Sequence, residues 1–274
     1  MKSIKKLLAL ALALAMTAAL AACGGSPAPA ETPSDSAAPA GSAAETPAAP
    51  GKTYLIATDT TFAPFEFQDA QGNFVGIDMD LLKAIAEDQG FQYEIQVLGF
   101  DASLQSVQSG QSDGMIAGMS ITDARREIFD FSEPYFDSGV VMGIKADNEE
   151  IKGYADLAGK NVAIKKGTEG AAFAESIMDE YGFTVTYFAD SSNMYEDVKA
   201  GNSAACFEDY PVLGYAISQD IGLKIVTEME RGNSYGFAVN KGQNPELVEM
   251  FNAGLQNLRD SGKYQEILDT YIKK

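Results

Sequence analysis

Thr58-Asp59-Thr60-Thr61-Phe62-Ala63-Pro64-Phe65-Glu66-Phe67 and Gly118-Met119-Ser120-Ile121-Thr122-Asp123-Ala124-Arg125 are the stretches whose reading settles the architecture. Each begins where a short apolar run stops, residues 54–58 in the first case and 114–117 in the second, so each reads as the turn that leaves a strand. The first carries an acid, Asp59, and the second a guanidinium, Arg125. Open α/β sheets hold ligands at strand ends of this kind. An arginine at the start of a helix can grip a carboxylate with two parallel charge-assisted bonds, and the N–H groups of the Gly118 turn add donors. The two turns together predict an α/β protein with an anion clamp.

Outward from these turns, strand-like and helix-like runs alternate. Residues 93–98 join 54–58 and 114–117 as strands. Residues 78–89, with Leu81, Leu82 and Ile85 on one face and Gly90 as the stop, read as a helix, as do 102–109. A second set of strands is expected at 161–164, 183–188 and 204–207, interleaved with helices near 170–181 and 193–200. Asn244-Pro245 predicts an N-cap and a first-turn proline for a helix to about residue 260, followed by an amphipathic segment at 263–272. Phe65 and Phe67 read as core, Asp78 and Asp80 as first-turn acids favoured by the helix macrodipole, and Cys206 as a small buried strand residue.

A local echo suggests two related lobes. Val107-Gln108-Ser109-Gly110-Gln111-Ser112 precedes one strand, and Val198-Lys199-Ala200-Gly201-Asn202-Ser203 precedes another. The echo makes the strand end at Gly118 equivalent to the one at Asp209. Facing lobes would then offer Arg125 from one side and Asp209 from the other, a cation and an anion suited to a zwitterion.

Composition removes several classes of function. Lys2, Lys5 and Lys6 precede an apolar run at 7–20 that is short for a membrane span and ends in small residues, as an export signal does. Leu20-Ala21-Ala22-Cys23 resembles the lipobox of bacterial lipoproteins, so 1–22 is expected to be a signal peptide and Cys23 the lipidated first residue of the mature chain. Residues 23–50 would follow as a disordered Ala/Pro/Ser tether reaching roughly 30 Å, with the acyl chains as anchor. The chain carries 20 basic and 39 acidic residues, a net charge of -19; without the three leader lysines, 17 face 39, or -22. Such a field disfavours nucleic acid and anionic lipid surfaces and suits a solvated exterior. With no histidine and two cysteines, one of them Cys23, imidazole metal sites, Ser/His or Cys/His catalytic pairs and an internal disulfide are excluded. No cofactor or metal is expected, and the chain reads as a monomer.

Seven motifs in order complete the picture: Asp59 with Pro64-Phe65-Glu66-Phe67, Gly76-Ile77-Asp78-Met79-Asp80-Leu81, Ser120-Ile121-Thr122-Asp123-Ala124-Arg125, Phe131-Ser132-Glu133-Pro134-Tyr135, Asp156-Leu157-Ala158-Gly159-Lys160, Lys166-Gly167-Thr168 and Glu208-Asp209-Tyr210-Pro211. In these the chain resembles the solute-binding proteins of polar amino acid ABC transporters, the glutamine and arginine binder type, over residues 52–274. The resemblance implies a type II periplasmic-binding-protein fold, α/β, with two lobes, two hinge crossings and the ligand in the interlobe cleft. Lobe one would be 51–134 plus 238–274, lobe two 140–232, with hinges at about 135–139 and 233–237.

The resemblance also assigns roles. Arg125 is implied as ligand to an α-carboxylate, helped by Ser120 and by the backbone at Gly118 and Thr168. Asp209 would receive the α-ammonium group, Phe62 and Phe100 would sandwich the ligand's stem, and Asp59 would read its head beside the cleft lysine Lys165. Glu169 stands where the family has a glycine and Glu208 where it has a histidine. Asp59 and Asp209 balanced by Arg125 and Lys165 leave a neutral site that suits glutamine. If Glu169, Glu208 or Glu66 points inward, arginine or lysine gains. A permease and its ATPase are the implied partners. The alternatives are a prephenate or arogenate dehydratase-like enzyme, with Glu169 or Glu208 as proton donor, and the sensor module of a receptor. The sensor reading is disfavoured because no transmembrane span follows the body before Lys274.

Overall fold

The computed structural model describes residues 51–272, so the expected signal peptide, Cys23 and the tether lie outside the described residues. Two lobes are present, each an open sheet flanked by helices. In the first, the strands run in the order Gln92–Val97, Thr53–Thr58, Gly114–Met115, Ala238–Asn240, Phe129–Phe131. Thr53–Thr58 pairs in parallel with both neighbours, with Thr58 opposite Val97 and Ala57 opposite Met115. In the second, the order is Leu223–Ile225, Phe136–Lys145, Ala205–Asp209, Asn161–Lys165, Thr184–Phe188.

The chain passes between the sheets twice, along Phe136–Lys145 going out and Glu230–Tyr235 coming back. These two strands pair antiparallel, with Tyr235 opposite Phe136 and Asn233 opposite Ser138. The resemblance implied hinge crossings at about 135–139 and 233–237 without pairing them as strands. Phe136–Lys145 is buried from Ser138 to Ile144 without a break, so it lacks the alternation that marks a strand with one wet face.

Helices begin and end where local chemistry dictates. Ile77–Gln89 starts after Gly76, whose φ of 140° and close approach to the chain exclude any side chain: a Cβ there would lie 2.0 Å from the Phe65 carbonyl oxygen. It stops at Gly90 in the left-handed conformation, and Leu81, Leu82 and Ile85 are fully buried. Pro245–Ser261 buries Leu247, Phe251, Leu255 and Leu258 along one stripe against it. Each such side chain contributes about 1.5–3 kcal/mol through removal from water.

Three expectations need refinement. Asn244 holds the N-cap position before Pro245 as expected, but its side chain makes no capping bond: its backbone is left-handed, and its amide donates to the Asp113 carbonyl and accepts from Lys52. Asp78 does stand in the first turn of its helix, but the macrodipole is not its only partner. It is fully buried, and its Oδ2 accepts from the Gly118 N–H at 2.8 Å and from the Tyr135 hydroxyl at 2.9 Å. Phe67, unlike the buried Phe65, is half-exposed and packs between Tyr215 and Tyr271.

Candidate functional site

Asp59 leaves the end of Thr53–Thr58 and is fully buried. One carboxylate oxygen accepts from the Thr60 N–H at 2.6 Å, and the other forms a salt bridge with Lys165, the last residue of Asn161–Lys165 in the opposite lobe. The cleft is therefore shut. Burial works against the Lys165 charge, but Asp59 and then Glu208 outweigh it, and its pKa is raised. Its ammonium lies 4.7 Å from the centre of the Phe62 ring and 5.9 Å from that of Phe100. The two rings expected to enclose a stem thus flank a cation, an arrangement their quadrupoles favour.

Behind Lys165 runs a polar chain that sequence reasoning did not foresee. Lys165 reaches Ser191 Oγ at 3.4 Å, Ser191 donates to Glu208 Oε2 at 2.7 Å, and Tyr195 donates to the same oxygen at 3.0 Å. Glu208 also accepts from the Asp209 N–H at 3.0 Å. A cavity of about 320 Å³, lined in part by Thr60, Thr61, Ser191, Tyr195 and Tyr215, lies just beyond this wall.

Arg125 sits in the short helix Asp123–Arg126, capped by the Thr122 side chain. It does not pair with its near neighbours on that helix. Nη1 donates to the Ser120 carbonyl at 2.7 Å, and Nη2 donates across the cleft to the Gly167 carbonyl at 3.0 Å. Glu169 stands 3.9 Å away, and the Phe100 ring 5.5 Å. Ser120 itself is buried and bridges to Tyr235.

Asp209 ends Ala205–Asp209 and precedes the helix Tyr210–Ser218, but its side chain makes no capping bond. Instead it accepts from the Tyr235 hydroxyl at 2.6 Å, and that hydroxyl in turn accepts from Ser138 at 3.0 Å. Burial, then the charge of Glu208, pushes the Asp209 carboxyl up to about 7, against the pull of Tyr235, Arg125 and Lys165. Glu66 lies buried beneath the site, where burial and then the charges of Asp78 and Asp59 hold its carboxyl well above the usual range. Burial likewise pushes Asp78 up to about 6.

Two expected backbone donors are already committed. The Gly118 N–H serves Asp78, and the Thr168 N–H points to the Lys165 carbonyl at 3.4 Å while the Thr168 hydroxyl caps Glu169–Tyr181. Neither can serve a ligand carboxylate while these bonds stand. Tyr235, Ser191, Tyr195 and Asp78 are the contributors whose place at the site the sequence reading missed, since strand register brings in Tyr235 and the packing of the helices Ser191–Ala200 and Ile77–Gln89 brings in the others.

Fold and site together define a two-lobed binding protein. Residues 54–274 match the family of bacterial extracellular solute-binding proteins, family 3, and the chain belongs to it. Among relatives, the arginine-binding periplasmic protein of Mannheimia haemolytica is 30% identical over 223 residues, which cover 80% of this chain and 90% of that one. Among solved structures, substrate binding domain 2 of Lactococcus lactis GlnP in an open conformation is 45% identical, with 84% and 99% of the two chains covered and a TM-score of 0.58. An ancestral arginine-binding protein bound to glutamine is 37% identical, with 81% and 98% covered and a TM-score of 0.75. The less similar sequence gives the closer overlay, in keeping with a cleft that is shut here and open in the GlnP domain.

Proposed function

We propose that this chain captures a polar L-amino acid outside the cell, glutamine in first place, and hands it to the permease and ATPase of an ABC importer. The observation that carries this reading is the buried Asp59–Lys165 pair, contributed by opposite lobes and flanked by Phe62 and Phe100. A carboxylate and an ammonium side by side match the two ends of a primary amide, the one accepting from its NH2 and the other donating to its carbonyl. Arg125 would hold the α-carboxylate and Asp209 the α-ammonium group, with Ser120 beside the clamp.

Function follows from closure about the paired crossing strands. The ligand docks on the first lobe, and the second swings in and brings Lys165 and Asp209 to it. Water is expelled and each charged contact gains strength in the drier cleft. Charge-assisted bonds contribute about 1.5–3 kcal/mol each, so a few of them reach the 8 kcal/mol or so of micromolar binding. Binding needs no catalytic group, and we assign no turnover to the site. The lipidated Cys23 would keep the carrier, a monomer, at the membrane face.

One observation favours arginine or lysine as a second reading. Glu208 is buried and linked through Ser191 to Lys165, which adds acid at the end of the cleft that reads the ligand's head. The arginine-binding relative points the same way, and the ancestral protein bound to glutamine points back to the first reading.

A thermal-shift panel of the twenty amino acids on the intact chain tests the proposal. A ligand present at 100 times its dissociation constant adds about 2.7 kcal/mol of stability. Glutamine is expected to give the largest shift, with loss of the response in Arg125→Ala and Asp209→Ala. No shift with any amino acid would end this reading, and turnover of prephenate would replace it with an enzymatic one.

A further inference from the structure

Glu169 opens the helix Glu169–Tyr181 of the second lobe, and its two carboxylate oxygens face two different arginines. Oε1 lies 3.9 Å from Nη2 of Arg125, and Oε2 lies 3.9 Å from Nη1 of Arg231. Arg125 and Glu169 are nearly buried, their side chains 11% and 13% exposed, whereas Arg231 keeps 39%. Arg125 thus has an anion of the chain's own beside it, supplied by the opposite lobe.

Arg231 is held in place by its own lobe. Its backbone takes a left-handed φ of 45° where the pairing of Glu230–Tyr235 shifts register, its guanidinium lies 5.3 Å from the Phe173 ring, and it donates to Ser176 at 2.9 Å. Phe173 and Ser176 both belong to the helix that Glu169 begins. The second lobe therefore carries the carboxylate together with a spare cation for it.

We propose that Glu169 is a built-in competitor for Arg125: in the empty cleft it is shared between the two arginines and helps latch the lobes together, and a ligand carboxylate arriving on Arg125 displaces it onto Arg231. This rests on the reading of Arg125 as the carboxylate grip. Two carboxylates beside one guanidinium repel, so the ligand binds more weakly than its own contacts would allow. Arg231 limits that loss by offering Glu169 a second resting place. The residue sets affinity through the empty state and takes no bond from the ligand.

The test is calorimetric titration of L-glutamine and L-arginine into the intact chain, with small-angle scattering of the same proteins without ligand. Glu169→Gln keeps the shape of the side chain and should bind either amino acid roughly fivefold tighter, the scale of a partly screened ion pair. Arg231→Met should bind more weakly, because Glu169 then leans on Arg125 alone, and the double variant should match Glu169→Gln. Without ligand, Glu169→Gln should show a larger radius of gyration than the parent. Weaker or unchanged binding by Glu169→Gln overturns the proposal, as does an unchanged radius. If parent and variants bind neither amino acid here and none in the thermal-shift panel, the functional reading falls, and the scattering comparison alone decides the latch.

Discussion

Lys165 and Asp59 meet across the cleft as a salt bridge in which the two side chains retain 1% and 0% exposure. In the proposed closure both charges would lose water at once, so each would depend on the other in the shut form and on solvent in an open one. Truncating one partner of a buried charge pair costs about 2–5 kcal/mol. Here that cost can be avoided by opening. Lys165→Met is therefore expected to lower glutamine affinity on the order of a hundredfold, while the melting temperature of the ligand-free chain moves by only a few degrees. Titration calorimetry and differential scanning calorimetry on the same variant check this, and a large drop in melting temperature with intact affinity would contradict it.

The acids of the site predict opposite pH responses for folding and for binding. Asp209, pushed up to about 7, and Asp78, pushed up to about 6, keep their protons between pH 4 and those values in the folded chain, whereas the unfolded chain releases them. Folding then takes up protons, and this part of the stability falls as pH rises from about 4 to 7. Binding runs the other way. An ammonium group needs the Asp209 carboxylate, so affinity should weaken towards tenfold for each pH unit below about 7. Melting curves and titrations at pH 5.5 and 7.5 should show the empty chain more stable, and the ligand more weakly held, at the lower value.

Tyr235→Phe removes the hydroxyl that donates to Asp209 and accepts from Ser138. That hydroxyl favours the charged carboxylate, so its loss should move the pH midpoint of binding upward. Affinity at pH 7 is expected to drop by about tenfold, the scale of one hydrogen bond to a charged group. An unchanged midpoint in the pH titration would show that Tyr235 does not govern Asp209.

Two glycines separate folding from binding. A Cβ at Gly76 would strike the Phe65 carbonyl at 2.0 Å in a backbone that disfavours side chains, so Gly76→Ala should destabilise the chain by about 3 kcal/mol or more in urea denaturation. At Gly118, φ is 52° and a Cβ would strike the edge of the Phe62 ring at 2.3 Å. A ring can turn where a backbone cannot. Gly118→Ala should therefore cost about 1–2 kcal/mol of stability while displacing Phe62, and its larger effect should appear as lost affinity.

Much of this was readable from the chain because strand ends and helix starts carry local signals. Asp59 and Arg125 each follow an apolar run at a turn, and Leu81, Leu82 and Ile85 mark their helix by spacing alone. Asp209 was equally visible as a strand-end acid before Tyr210-Pro211. Tyr235 gave no such sign. It reaches Asp209 because Glu230–Tyr235 lies along Phe136–Lys145 and that strand lies along Ala205–Asp209, two registers that no local pattern encodes. Asp78 misled for the opposite reason, since its place in the first turn of a helix offered a sufficient local explanation while its side chain was engaged with Gly118 and Tyr135. Glu208 was noted as a departure from the family pattern, but its inward direction depends on Ser191 and Tyr195, residues from a helix that local sequence does not tie to it.

The two crossings are stitched to each other by antiparallel hydrogen bonds from Phe136–Tyr235 to Ser138–Asn233. A ribbon of this kind bends across its width far more easily than its edges slide past one another. Under the proposed closure the lobes would thereby be confined to a single swing, like a book on a cloth spine, and the opposing charges would return to the same facing positions each time.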